Sequence, residues 1–293
     1  MTSNFKGVMP ALVTPLTKDE KINVSALNKL ITHLSSQGAY GFYIGGATGE
    51  GLLLDVDQRK ILCEKSIEFI GNDKTKIVHI TDMNFRNTIE LAKHAEACGA
   101  DAISAIAPTY FRYDEDDIYE YYKAIAESVK IPLIIYYTLA ANVTMSNSLF
   151  RRMFAVDNIT GVKWTNSNYY ELIKLRNDVP DVNIFNGPDE MLLCGLAAGA
   201  DGGIGTTYNF MFPLINEIYT RFKANDVDGA REAQKKADKI INAVIKHVTI
   251  PATKIILEEM GFDVGYASFP MKKYSPEMRK VILSDAREAG LDI

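Results

Sequence analysis

Residues 76–107 read KIVHITDMNFRNTIELAKHAEACGADAISAIA, and this stretch decides the fold. Positions 76–81 are a short run rich in β-branched residues. Across 87–98, Leu91, Ala95 and Cys98 recur at helical spacing. Gly99 then suits a left-handed helix end, and Ala100-Asp101 turns directly into a second apolar run at 102–107. The unit is strand, helix, strand. Its strands are almost wholly apolar instead of alternating, as parallel strands covered on both faces must be.

The same unit recurs along the chain. A related phrase, Ala198-Gly199-Ala200-Asp201-Gly202-Gly203, again joins a helix end to a strand. Candidate strands fall at 8–13, 41–45, 76–81, 102–107, 132–137, 161–165, 183–186 and 202–205. Helical periods fill 26–37, 58–70, 87–98, 115–129 and 169–178 between them. Eight strand–helix alternations favour a closed (β/α)8 TIM barrel. Closure is not readable from periodicity, so an open doubly wound sheet stays the alternative. The barrel is assigned to 1–225. Further helical segments at 227–248, 252–260 and 276–289 form a C-terminal extension over 226–293, packed on the barrel with no linker composition between.

The totals narrow the function classes. Lys and Arg number 32 against 37 Asp and Glu, a net charge of −5 that gives no footprint for nucleic acid. No apolar run approaches a membrane span, and Met1 to Lys6 carries no signal-peptide pattern, so a cytoplasmic protein is expected. Cys63, Cys98 and Cys194 are far apart in sequence and read as reduced structural thiols. His33, His79, His94 and His247 show none of the familiar metal-ligand spacings, so no metal is expected.

In a parallel barrel the chemistry gathers at the C-terminal ends of strands. Reading those ends in order gives the Gly45-Gly46-Ala47-Thr48-Gly49-Glu50 loop, Tyr110, Tyr136, Lys163-Trp164-Thr165, Gly187-Pro188-Asp189-Glu190 and Gly205-Thr206-Thr207. Lys163 ends an apolar strand. Burial disfavours the charged form of a lysine, and a neutral amine attacks ketones to form an imine. The other reading is a lysine that snorkels to the rim or pairs with a carboxylate. The Gly45–Glu50 loop lets backbone N–H groups turn toward a small carboxylate, or it is a plain tight turn. It lacks the lysine of a P-loop and the spacing of a dinucleotide fingerprint. Tyr136 and Tyr137 are adjacent on one strand, so only one can face the barrel interior and relay a proton. Glu50 reads as a structural carboxylate tying its loop to nearby N–H groups.

With these residues in place, the chain resembles the dihydrodipicolinate synthase/N-acetylneuraminate lyase family over nearly its whole length. Residues 7–15 are similar to the family's first strand, the Gly45–Glu50 loop to its pyruvate-carboxylate loop, Tyr136 to its strand-five tyrosine, and Gly161-Val162-Lys163-Trp164-Thr165 to its Schiff-base strand. The resemblance is closest to the lyase branch. Thr165, Gly187, Asp189, Glu190 and Thr206 match positions that grip the polyhydroxy tail of sialic acid. The stretch Thr138-Leu139-Ala140-Ala141-Asn142 lacks the arginine of the synthase branch. The sequence departs from the family at Ala47, where the lyases carry a hydroxyl, at Tyr137-Thr138-Leu139, and at Thr81-Asp82-Met83-Asn84.

The resemblance implies a homotetrameric class I aldolase without cofactor or metal, its covalent imine formed on Lys163. Its substrates would be sialic acid, pyruvate and N-acetylmannosamine. Lys163, Tyr136 and Tyr110 would be catalytic, with Tyr110 lent to a neighbouring subunit. Gly46, Ala47 and Thr48 would hold the substrate carboxylate. Two rivals stand beside this reading: an aldolase of the same family acting on a 2-keto-3-deoxy sugar acid, and a non-catalytic sugar-acid or pyruvate-binding regulator.

Overall fold

The computed structural model describes residues 5–141 and 143–293; residues 1–4 and Asn142, which belong to two stretches read above, lie outside them. Eight parallel strands run as β1 (Gly7–Pro10), β2 (Gly41–Ile44), β3 (Thr75–His79), β4 (Ala102–Ile106), β5 (Leu133–Thr138), β6 (Ile159–Thr165), β7 (Asn183–Asn186) and β8 (Gly202–Gly205). Neighbours in sequence are neighbours in the sheet, and β8 pairs with β1. The last seam is drawn together just beyond β1, where Leu12 N–H donates to the Tyr43 carbonyl at 2.8 Å and Ala11 bridges Tyr43. The sheet therefore closes on itself, and the open-sheet alternative is set aside.

The outer ring holds α1 (Val24–Ser36), α2 (Val56–Ile70), α3 (Phe85–Cys98), α4 (Glu115–Glu127), α5 (Asn147–Phe154), α6 (Tyr169–Asp178), α7 (Leu192–Ala197) and α8 (Tyr208–Lys223). Local chemistry sets several ends. Asp114 and Asp117 form a capping box at the start of α4, and Asn84 caps α3 by accepting from the Arg86 N–H. Such caps contribute about 1 kcal/mol each. Gly99 ends α3 with φ +88, a conformation that costs glycine little. Three helices give no clean period in the sequence. Two of them, α5 and α7, are short, and α8 is kinked at Met211 beside Pro213, which cannot donate a backbone bond.

The period of two along each strand sorts side chains into two cores. Met9, Tyr43, Ile77, Ile134, Tyr136, Phe185 and Ile204 fill the barrel interior. The alternating set, among them Val8, Phe42, Ile135, Tyr137, Val162 and Trp164, packs outward against the helices. Burying each large apolar side chain contributes about 1.5–3 kcal/mol before ordering costs.

Beyond the eighth unit come α9 (Val227–Ile245), α10 (Thr249–Glu259) and α11 (Pro276–Glu288). One buried bond tethers α10 to the barrel mouth: Lys254 Nζ lies 2.5 Å from Glu50 Oε1, both side chains being almost wholly enclosed. Among the described residues no single helix is long and apolar enough to cross a membrane. The bent pair α9 and α10 passes that test only jointly, across a 110° break.

Sequence separation misleads for the cysteines. Packing of α2 on α3 brings Cys63 and Cys98 together, with His94 beside them, while Cys194 stays apart on α7.

Candidate active site

Strand register builds the centre of the site. Tyr136 on β5 and Lys163 on β6 are paired neighbours, so their side chains leave the sheet on the same face and at the same height. That face is the barrel interior. Lys163 is 5% exposed, and its Nζ lies 4.2 Å from the ring centre of Tyr136 and 4.7 Å from that of Tyr43. Among the described residues no carboxylate lies within ion-pairing distance of this amine. Neither alternative for Lys163, rim snorkelling or a carboxylate partner, matches that placement. Tyr137 faces the other way, against Trp164 and Phe150, which leaves Tyr136 as the inward tyrosine.

Two interior residues went unrecognised in the sequence. Tyr43 stands edge-on to Tyr136 and donates its hydroxyl to Ser104 Oγ at 3.0 Å; burial pushes its phenol well above the ordinary range. His79, at the end of β3, stands edge-on to Tyr136 as well. Burial holds its imidazole down to about 3, with nearby Arg59 and Lys163 adding to the effect. Among the described residues neither ring nitrogen makes a well-formed hydrogen bond to the protein, although the Gly45 backbone lies close by. Arg59 comes from α2 and is buried too. It donates to the carbonyls of Thr81 (2.7 Å) and His79 (2.9 Å), tying α2 to the end of β3. The signal for His79 was its spacing from Ile77, but which alternate residues face inward depends on barrel closure.

The Gly45–Glu50 loop closes over this centre. Gly45 and Glu50 both adopt left-handed backbone, with φ of 69° and 57°. At Gly46 a Cβ would meet the Tyr43 ring at 2.4 Å, so glycine is required there by close approach. The loop's own bonds are spent on Glu50 N–H to the Ala47 carbonyl and Gly51 N–H to the Gly46 carbonyl. Among the described residues, the N–H groups of Gly46, Ala47 and Thr48 have no protein acceptor. Three successive unpaired donors are available to an acceptor from outside the chain. The Glu50 carboxylate is committed to partners outside the loop. It accepts from Ser268 N–H and pairs with Lys254, so its partners come from the C-terminal region instead of its own loop. Burial lowers the Lys254 ammonium from its usual range. A lone lysine in the apolar run Ala252–Leu257 was the available sign of such a buried pair.

The remaining strand ends lie on the β6–β8 side. Among the described residues the buried Thr165 Oγ1 has no hydrogen-bond partner. Gly187 sits so close that a Cβ would fall 1.9 Å from that oxygen. Asp189 is buried, with one carboxylate oxygen held by the Thr207 N–H at 2.8 Å and the Thr207 hydroxyl at 2.7 Å. Burial raises its carboxyl to about 6 against those bonds. Glu190 is exposed. Thr206 meets Thr48 hydroxyl to hydroxyl at 2.7 Å, joining the end of β8 to the anion loop. A cavity of about 410 Å³ opens beside Tyr136 and His79. Ala47 and Thr138 line it, and Ile250 and Met271 wall it from the C-terminal region. That is an ordinary size for a small-molecule site.

Tyr110 is not part of this cluster in the single chain. It is 83% exposed with φ 79°, stacked edge-on with exposed Phe111. Such backbone in a bulky residue is uncommon and calls for a compensating contact.

Residues 4–289 match the model of the Dihydrodipicolinate synthetase family. The chain is 35% identical over 276 residues to the N-acetylneuraminate lyase of Clostridium perfringens, covering 94% of this chain and 96% of that one. It is 33% identical over 269 residues to the N-acetylneuraminate lyase of Rhizobium meliloti, covering 92% and 90%. Among solved structures, a Clostridium difficile protein in complex with mannosamine superposes with a TM-score of 0.94 at 32% identity, covering 98% of this chain and all of that one. The N-acetylneuraminate lyase of Mycoplasma synoviae superposes with a TM-score of 0.92 at 31% identity, with full coverage of both chains.

Proposed function

The chain belongs to the dihydrodipicolinate synthetase family, and from that premise we propose that it cleaves N-acetylneuraminate reversibly to N-acetylmannosamine and pyruvate through an imine on Lys163. One observation carries the proposal: a buried lysine amine, with no carboxylate partner among the described residues, set between two tyrosine rings at the mouth of the barrel.

The free amine of Lys163 attacks the C2 ketone of the open-chain sugar acid and expels water to give the imine. The imine draws electrons from the C3–C4 bond, which breaks to leave an enamine. Tyr136 relays a proton: its phenol takes up the C4 hydroxyl proton as the aldehyde product forms and passes its own to the substrate carboxylate. Protonation at C3 and hydrolysis then release pyruvate and regenerate Lys163. The electron sink is the imine itself, so the scheme calls on no cofactor. The N–H groups of Gly46, Ala47 and Thr48 hold the C1 carboxylate, a role their free donors support. Thr165, Gly187, Asp189, Glu190 and Thr206 orient the hydroxylated tail, and the unpartnered Thr165 hydroxyl suits that task.

A homotetramer is part of the proposal, with Tyr110 reaching a neighbouring subunit's site. The exposed Tyr110-Phe111 pair and the strained φ at Tyr110 support it. We place the enzyme in the cytoplasm, where free thiols such as Cys63, Cys98 and Cys194 persist.

Ala47 favours a second reading, an aldolase acting on a 2-keto-3-deoxy sugar acid, because it brings no hydroxyl to the carboxylate loop. Side-by-side kcat/KM values on N-acetylneuraminate and 2-keto-3-deoxygluconate separate the two. The proposal predicts a preference for N-acetylneuraminate of at least about tenfold. Preference for the other substrate selects the second reading.

A further inference from the structure

Away from the barrel mouth, α2 and α3 pack so that three potential metal donors meet. His94 and Cys98 lie one helical turn apart on one face of α3. Cys63 approaches from α2, and its sulfur, a His94 ring nitrogen and the Cys98 sulfur all lie within 4.8 Å of one another. Cys98 Sγ is 3.4 Å from His94 Nε2. Glu64, next to Cys63, places Oε1 3.1 Å from the same nitrogen.

These spacings suit one small cation. Tetrahedral zinc, with Zn–S near 2.3 Å and Zn–N near 2.0 Å, separates a sulfur and a nitrogen ligand by about 3.5 Å. Oxygen and nitrogen ligands come out at about 3.3 Å. As a plain packing arrangement the cluster gains little, because a thiol is a weak hydrogen-bond donor. A void of about 10 Å³ adjoins Cys63 and His94 and leaves room for small shifts of the donors.

We propose that Cys63, His94 and Cys98 form a three-ligand structural zinc site that clamps α2 to α3, with water completing the coordination. Two thiolates and an imidazole select zinc over the harder cations, which take oxygen ligands. The ligands come from two helices, which is why no spacing in the sequence revealed them. The site lies behind the catalytic centre, and none of its ligands takes part in the reaction proposed above. Its effect runs through α2, which follows the anion loop and carries Arg59 to the end of β3.

The test uses the full-length protein, freed of metal with a chelator under reducing conditions and titrated with Co(II) and then Zn(II). Cobalt is expected to give tetrahedral ligand-field bands and a thiolate-to-cobalt charge-transfer band that saturates at about one equivalent and is displaced by zinc. Zinc at about a hundredfold over its Kd should raise the Tm by about 5 °C while leaving kcat unchanged. His94→Gln, on the partly exposed ligand, should abolish the charge-transfer band and the Tm shift and keep aldolase activity. Cys63→Ser should do the same to the band. Absence of the band in the reduced protein overturns the site, as does metal uptake that the His94→Gln variant leaves intact. A Cys63–Cys98 disulfide formed in air, with no metal uptake after reduction, also overturns it and marks the pair as redox-active thiols.

Discussion

His79 and Asp189 show how single residues set the pH behaviour of the barrel mouth. His79 is held down to about 3 in the folded chain, against about 6.5 when unfolded. Between those values the unfolded chain binds more protons, so this residue makes stability fall as pH falls below 6.5. Asp189 acts with the opposite sign. Its carboxyl is raised to about 6, so between about pH 4 and 6 the folded chain binds more protons and this group's contribution weakens as pH rises. The two partly offset each other in that window. Removing His79 exposes the difference. From about pH 7 to about pH 5, wild type should lose about 2 kcal/mol more stability than His79→Gln, as measured by urea unfolding. Equal acid losses in the two proteins contradict the buried neutral imidazole. At this scale the strand pattern put Lys163 and Tyr136 at the barrel mouth but left their roles open, and it was the family resemblance that singled them out. The strand pattern concealed Tyr43 and His79. Their inward direction follows from the closure of the sheet, and nothing in a short strand states which alternate side chains face in.

At the scale of elements, the anion loop depends on a helix from the far end of the chain. Glu50 receives Lys254 from α10 and the Ser268 N–H, and the Glu50 and Lys254 side chains are withdrawn from solvent. Breaking one half of a buried ion pair leaves a charge without a partner, which costs about 3–5 kcal/mol. Lys254→Met should therefore lower the Tm by about 5–10 °C, and adding Glu50→Gln should restore part of that loss. Calorimetry on the two variants checks this. A Lys254→Met protein as stable as wild type removes the tether from the account. The strands at 183–186 and 202–205 were legible residue for residue, since Gly, Asn and Asp mark their ends. The first strand, read as 8–13, starts one residue late and runs three residues past the end of β1. Past Pro10 only a single bridge continues the pairing, and by Val13 the N–H has turned to the side chain of Asn209. Helix α8 escaped notice because its kink at Met211 breaks the apolar period in two.

At the scale of the molecule, closure brings strand ends separated by more than half the chain around one amine. Eight repeats of one unit made the barrel legible. The contribution of Ile250 and Met271 to the cavity wall was not, because no local pattern records which strand ends a trailing helix will cover. The outer surface still presents Tyr110 and Phe111 to solvent. If they seat against a second chain, Phe111→Asp should dissociate the oligomer in sedimentation velocity and depress kcat along with it. Tyr110→Phe should lower kcat while the assembly stays intact. A fully active monomer contradicts the shared site. The central claim is covalent attachment at Lys163. It is tested most directly by borohydride reduction in the presence of pyruvate, followed by peptide mass mapping. The account predicts a reduced pyruvate adduct on the peptide carrying Lys163 and on no other lysine, and none in Lys163→Arg. An unmodified Lys163, or an adduct confined to a different lysine, would contradict it.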